Sequence, residues 1–211
     1  MLLKLPKIYP ITDTTISALP HAEQVERLAA GGATLIQLRE KHASPREFYR
    51  MALEAMITAR RLGVRIIVND RVDIAIAVDA DGVHLGQDDL PPGRARMLLG
   101  ENRIIGFSTH TLEQALAAES APVDYVAIGP IFQTASKENP DPVVGLTALE
   151  RIRSQISKPL VAIGGITFQT VPRVLASGAD SAAVISDLLS ARDITAQTRS
   201  YFNRLDEASN E

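Results

Sequence analysis

No cysteine occurs anywhere in the chain. That excludes disulfides, a thiolate nucleophile and a thiolate-held zinc, and it fits a reducing compartment. Tryptophan is absent too and aromatics make up only 4% of residues, so the stacking platforms that hold single-stranded nucleic acid are missing. Neither sign of charge dominates: the net charge is −3 and no Lys/Arg-rich run stands out, which argues against a polyanion binder. Nowhere do roughly 18 apolar residues run together, and Met1-Leu2-Leu3-Lys4-Leu5-Pro6-Lys7 is too short in its apolar part for a signal peptide. The expectation is a cytoplasmic protein with neither a nucleic-acid nor a membrane partner.

What is present is small aliphatics arranged in alternating short and long apolar patterns, the signature of repeated βα units. Eight strand candidates are readable: Ile8–Thr12, Thr34–Arg39, Arg65–Val68, Gly82–Leu85, Ile104–Phe107, Tyr125–Ile128, Leu160–Ile163 and Ala182–Ile185. The clearest helix is 45–62, where Phe48, Met51, Ala52, Ala55, Met56 and Ala59 recur at three- and four-residue spacing behind Pro45. Gly63 stops it, and Gly31-Gly32, Gly100 and Gly178 are similar stops ahead of strands. Ala30-Gly31-Gly32-Ala33 and Ser177-Gly178-Ala179-Asp180 look like one αβ turn used twice. No Gly-x-Gly-x-x-Gly follows the first strand, which favours a closed barrel over an open dinucleotide-binding sheet. The fold expected is α/β, a (β/α)8 TIM barrel, with residues 1–211 as one domain and 205–211 as a frayed tail.

In such a barrel all strand C-termini open on one face. Asn69, Asp70 and Arg71 close one strand, and Asp88 and Asp89 follow the next, so carboxylates distant in sequence can meet there. Few carboxylates with room for water and phosphate suit Mg²⁺. One of Asp88 and Asp89 is expected to cap the helix that Pro91-Pro92 opens, and which one is left open. Gln37, Arg39 and Lys41 alternate with Ile36 and Leu38, so the polar trio should face the barrel mouth, where an inward row of cations calls for an anion. His84 reads as a hydrogen-bonded interior imidazole. Ser108, Thr109 and His110 follow the fifth strand, and Thr111 to Gln114 reads as a capping box. Gly164-Gly165 and Ser186-Asp187 follow strands seven and eight, where barrels frequently bind phosphate. Pro172 makes Thr170 the expected helix cap in that unit. The one long loop, Gly129 to Gly145, reads as a lid.

Ile11-Thr12-Asp13, Gln37-Leu38-Arg39-Glu40-Lys41, Asn69-Asp70-Arg71, 81–91, Gly106-Phe107-Ser108-Thr109-His110, Gly129-Pro130-Ile131-Phe132 and Ile163-Gly164-Gly165-Ile166 together resemble the thiamin phosphate synthase family over nearly the whole chain. The resemblance implies a Mg²⁺-dependent transferase of thiamin biosynthesis that joins hydroxymethylpyrimidine pyrophosphate to a thiazole phosphate and releases pyrophosphate. By matching motif it implies Gln37, Arg39, Lys41, Asn69, Ser108 and Lys137 for the pyrimidine pyrophosphate, with Arg39, Lys41, Lys137 and Ser108 catalytic. It implies Asp70 and Asp89 for the metal, and Thr134, Ser136, Gly165, Ile185 and Ser186 for the thiazole phosphate. Ser136 departs from the Thr frequent in the family but keeps the hydroxyl. The partners expected are two small phosphorylated substrates, and a homodimer is the assembly to look for. Two other readings stand beside this one: a thiazole tautomerase of the same fold, and a non-catalytic thiazole-phosphate sensor.

Overall fold

Eight parallel strands hydrogen-bond in chain order and close into a barrel, β1 beside β8, in the computed structural model of the chain, which describes residues 3–134 and 141–208, with side chains to Leu205. The strands are β1 Ile8–Thr12, β2 Leu35–Leu38, β3 Arg65–Asn69, β4 Gly82–Leu85, β5 Ile104–Thr109, β6 Tyr125–Ile128, β7 Leu160–Ile163 and β8 Ser181–Val184. Around them lie α1 Thr14–Ser17, α2 His21–Ala30, α3 Pro45–Leu62, α4 Val72–Ala77, α5 Pro92–Leu99, α6 Leu112–Glu119, α7 Gly145–Arg153, α8 Val171–Ala176, α9 Ser186–Leu189 and α10 Ile194–Ala208.

The alternation of strand side chains divides the core in two. Ile8, Ile36, Leu38, Ile66, Val68, Val83, Leu85 and Val126 join the helices in one large cluster. Tyr9, Ile11, Leu35, Ile67, Tyr125, Ala127, Val161 and Ala183 form a smaller one. That second cluster is the barrel interior. Gln37 belongs to the same face, since its amide reaches the Tyr9 hydroxyl, whereas Ile36 and Leu38 pack outward as the alternation requires.

Local chemistry sets the boundaries. Helix α3 opens with a complete capping box, Ser44 with Glu47, and ends at Gly63 with φ of 69°. Strand β5 runs two residues beyond its expected end, because Ser108 and Thr109 keep pairing with Ala127 and Ile128 of β6. Those two residues therefore sit within the strand rather than after it. At α6 Thr111 caps through Gln114 N–H, but the Gln114 side chain accepts from His110 N–H, so the box is only half formed. Helix α8 starts after Thr170 with Pro172 in its first turn, but Thr170 makes no side-chain cap bond to the helix; its hydroxyl accepts from Thr167 N–H instead. Neither Asp88 nor Asp89 caps α5: Pro91 holds the cap position without a side-chain bond, and Asp89 instead accepts from Gly86 N–H at 2.7 Å. Helix α10 extends to Ala208.

At the opposite, N-terminal end one contact recurs three times. The acid just ahead of β4, β6 or β8 accepts from a backbone N–H at the start of the preceding strand: Asp81 from Ile66 at 2.7 Å, Asp124 from Ile105 at 2.7 Å, Asp180 from Leu160 at 2.8 Å. Arg96 and Arg153 hold the latter two acids at 2.7 and 2.8 Å. Each acid bolts two neighbouring strands together at their base. Asp124→Ala and Asp180→Ala should each cost about 1–3 kcal/mol in urea denaturation, the scale of losing a charged hydrogen-bond partner to a backbone donor. Because both lie far from the strand C-termini, turnover at saturating substrate should be unchanged.

Candidate active site at the strand C-termini

A cavity of about 460 Å³ opens where the strands end. Gln37, Arg39, Lys41, Asn69, Asp70, Asp89, Ser108, Thr134, Gly165, Ile185 and Ser186 all line it, so every described residue named from the sequence as a site candidate comes to one place. Ser136 and Lys137 lie outside the described residues.

The carboxylates arrive by a break in the strand. At Asp70 the backbone turns left-handed, φ 62°, a conformation that Asp tolerates better than most residues. Its N–H still reaches the His84 carbonyl at 2.7 Å, so the strand pairing carries its side chain to the rim. Asp89 lies beside it. Burial, and behind it the negative charge of Asp70, hold the Asp89 carboxyl above the usual range, opposed by the Gly86 N–H and by Lys41. Two carboxylates pressed together favour a cation between them. Among the described residues no group of three or more His, Cys, Asp or Glu gathers as metal ligands. Two carboxylates are nonetheless a protein contribution that suits Mg²⁺, which fills its octahedron with water and substrate phosphate.

The cations are not bare, contrary to the expectation that only an outside anion would satisfy them. Arg39 Nη1 donates to Asp13, and Lys41 Nζ to Asp70 at 2.5 Å. Asp13 also caps α1 by accepting from Thr15 and Ile16 N–H. The loop between them is fixed by Glu40, which accepts from Thr14 Oγ1 at 2.7 Å and from the N–H groups of His42 and Ala43. Thus Arg39 and Lys41 point into the cavity from a rigid backbone, each held by an internal acid. Asp13 was not foreseen in this role.

The floor is polar where a barrel interior is usually aliphatic. His84 Nε2 lies 2.8 Å from Ser108 Oγ, and its Nδ1 2.9 Å from the Tyr125 hydroxyl, with the imidazole and phenol rings stacked at 21°. Burial pulls His84 down to a pKa of about 4, so the ring is neutral and is the hydrogen-bonded interior imidazole expected.

On the far wall Gly164 and Gly165 have φ of 99° and 63°. A Cβ on Gly164 would stand 2.5 Å from Pro130 Cβ, and one on Gly165 2.3 Å from the Gln133 carbonyl. The glycine pair is therefore required by the loop after β6, which lies against it through Ile131 N–H to Ile163 O and Phe132 N–H to Gly164 O. His110 secures that loop: its Nδ1 is 2.6 Å from the Gly129 carbonyl and its Nε2 3.5 Å from Asp141. His110 stood out in the sequence only as one more polar residue after β5. Of the loop expected to close as a lid, Gly129 to Gly145, residues 135–140 fall outside the described residues.

His84 links the site to stability. Its folded pKa of about 4 lies below the ordinary 6.5, so between those values the unfolded chain binds a proton that the folded chain refuses. Stability from this group is complete above pH 6.5 and is lost as pH falls toward 4. At most the slope is ~1.4 kcal/mol per pH unit. Urea midpoints measured from pH 7 to 4 should therefore fall less steeply in His84→Gln than in the parent.

Comparison with known proteins places this geometry. A family model described as thiamine monophosphate synthase matches residues 8–188. Thiamine-phosphate synthase of Chloroflexus aurantiacus is 47% identical over 194 residues, covering 92% of this chain and 89% of the relative. That of Koribacter versatilis is 50% identical, covering 89% and 90%. The solved thiamine phosphate pyrophosphorylase of Pyrococcus furiosus superposes with a TM-score of 0.86 at 39% identity, over 95% of this chain and 96% of that one. The chain belongs to the thiamine monophosphate synthase family of transferases.

Proposed function

We propose that the chain condenses 4-amino-2-methyl-5-hydroxymethylpyrimidine pyrophosphate with a thiazole phosphate, giving thiamin phosphate and pyrophosphate. The observation that carries this reading is the division of one cavity into two anion-suited ends. Arg39, Lys41, Asp70 and Asp89 follow β2, β3 and β4, and the glycine turn at Gly165 with Ser186 follows β7 and β8 on another part of the same rim. A tautomerase or a sensor of thiazole phosphate would need only the second.

Asp70 and Asp89 would hold Mg²⁺, which supplies Lewis-acid stabilisation of the pyrophosphate oxygens. Gln37, Asn69 and Ser108 orient the pyrimidine at the cavity floor. Arg39 and Lys41 stabilise charge that develops on pyrophosphate as the carbon–oxygen bond breaks, and Lys137 joins them on the strength of the family motif. The pyrimidine spreads the resulting positive charge through its ring amino group until the thiazole nitrogen attacks, so no protein nucleophile is needed. Thr134, Ser136, Gly165, Ile185 and Ser186 hold the thiazole phosphate. Such a cation survives only where water is kept out. The absence of cysteine fits a cytoplasmic setting for this reaction.

Incubation with both substrates should release one pyrophosphate per thiamin phosphate, only with Mg²⁺; conversion of the thiazole phosphate alone, without pyrophosphate, would establish the tautomerase instead. Asp89→Ala should weaken Mg²⁺-dependent pyrophosphate binding in calorimetry and depress turnover. If Asp88→Ala does so and Asp89→Ala does not, the ligand assignment is reversed. Lys137→Ala should lower kcat by on the order of 10²-fold, the scale of one preorganised charge-stabilising donor, whereas Ser136→Ala should mainly raise KM for the thiazole phosphate.

A further inference from the structure

Beneath the cavity a chain of hydrogen bonds crosses the barrel from one wall to the other. Gln37 Nε2 lies 3.3 Å from the Tyr9 hydroxyl, Tyr9 3.2 Å from the Tyr125 hydroxyl, Tyr125 2.9 Å from His84 Nδ1, and His84 Nε2 2.8 Å from Ser108 Oγ. Both ends, Gln37 and Ser108, line the cavity, while Tyr9 and Tyr125 are fully buried. Five side chains from five different strands take part.

Counting protons gives the chain a direction. An amide nitrogen only donates, so Tyr9 oxygen accepts from Gln37 and its own proton is left for Tyr125. Tyr125, accepting from Tyr9, passes its single proton to His84 Nδ1. An imidazole that accepts at Nδ1 carries its proton at Nε2 and donates it to Ser108 Oγ. The Ser108 proton is then turned away from His84, toward the cavity. At the other end the amide nitrogen of Gln37 is engaged by Tyr9, which turns the amide oxygen into the cavity as an acceptor.

Backbone design supports the central link. The registers His84 with Gly106 and Gly106 with Tyr125 put all three in one layer of the barrel. A Cβ at Gly106 would stand 2.3 Å from the Tyr125 hydroxyl and 2.5 Å from His84 Nδ1. The missing side chain is the space in which phenol and imidazole meet.

We infer that Tyr9, Tyr125 and His84 are positioning residues that fix Ser108 as a hydrogen-bond donor and the Gln37 oxygen as an acceptor toward the same bound ring. They thereby select a heterocycle that presents an acceptor to β5 and an N–H donor to β2. This rests on the proposed function in one respect, that an aminopyrimidine, which carries ring nitrogens and an amino group, sits between Gln37 and Ser108. The direction of the chain itself does not depend on any substrate.

The test has two parts. In the full-length protein without substrate, labelled with ¹⁵N-histidine, the His84 ring should be locked with its proton on Nε2. A proton on Nδ1, or averaging between the two, overturns the inference. In kinetics, Tyr125→Phe and His84→Met should each lower kcat/KM for the pyrimidine pyrophosphate about tenfold, the scale of one mis-set hydrogen bond, with KM for the thiazole phosphate unmoved. His84→Gln, whose amide can accept from Tyr125 and donate to Ser108, should recover most of what His84→Met loses. Met and Gln are close in size, so equal activity of those two variants would mean that packing alone matters and would overturn the inference. If the parent formed no thiamin phosphate at all, the functional reading would fall while the tautomer measurement still judged the direction of the chain.

Discussion

Barrel closure is the constraint on which everything else rests. Strands of four to six residues cannot separately bury both faces, and only when β8 pairs with β1 does every strand have two neighbours. Closure also gives all strands one polarity. Residues that end β2, β3, β4 and β5 must then share a rim although the chain separates them. Asp70, just past β3, and Asp89, held in the turn after β4 by Gly86 N–H, are brought together this way, and the Asp70 charge helps to raise the Asp89 carboxyl.

That enforced crowding shapes the electrostatics of the mouth. Asp13 with Arg39 and Lys41 with Asp70 are pairs between elements, and both bridge the rim rather than ornament the surface. Held this way, the cations are already ordered before any anion arrives, so little side-chain freedom remains to be lost on binding. A divalent cation entering between Asp70 and Asp89 would compete with Lys41 for Asp70 and leave its ammonium nearer an incoming phosphate. On the proposed reading, metal and pyrophosphate would therefore favour each other's binding through one lysine.

Much of this was legible in the sequence because barrels write their rules locally. Short apolar runs alternating with amphipathic stretches, glycine stops and polar strand ends located the barrel and nearly all of its rim. Long-range pairing was not legible. Asp13 looks like a helix cap, and it is one, but its bond to Arg39 spans 26 residues and nothing local announces it. Tyr9 and Tyr125 read as ordinary apolar strand residues, since only the register around Gly106 puts Tyr125 and His84 in one layer and only barrel closure brings the Tyr9 hydroxyl to Tyr125. One of Asp88 and Asp89 is expected as a cap, yet Pro91 holds the cap position at φ −53° and ψ 137° without help from either. The recurring bolts at the base escaped notice because a single Asp before a strand is unremarkable until three make the same bond.

Those bolts bear on how the chain reaches its fold. Asp81, Asp124 and Asp180 span only 15, 19 and 20 residues to their partners. Each joins strands consecutive in the chain, so each can fasten as soon as its own βαβ unit has left the ribosome, at a modest loop-closure cost. The seam between Ile8 and Ala182 cannot; it needs the entire length. Assembly thus divides into early local fastening of adjacent strands and one late global event, and a nascent chain lacking β8 would hold an open sheet with two unpaired edges.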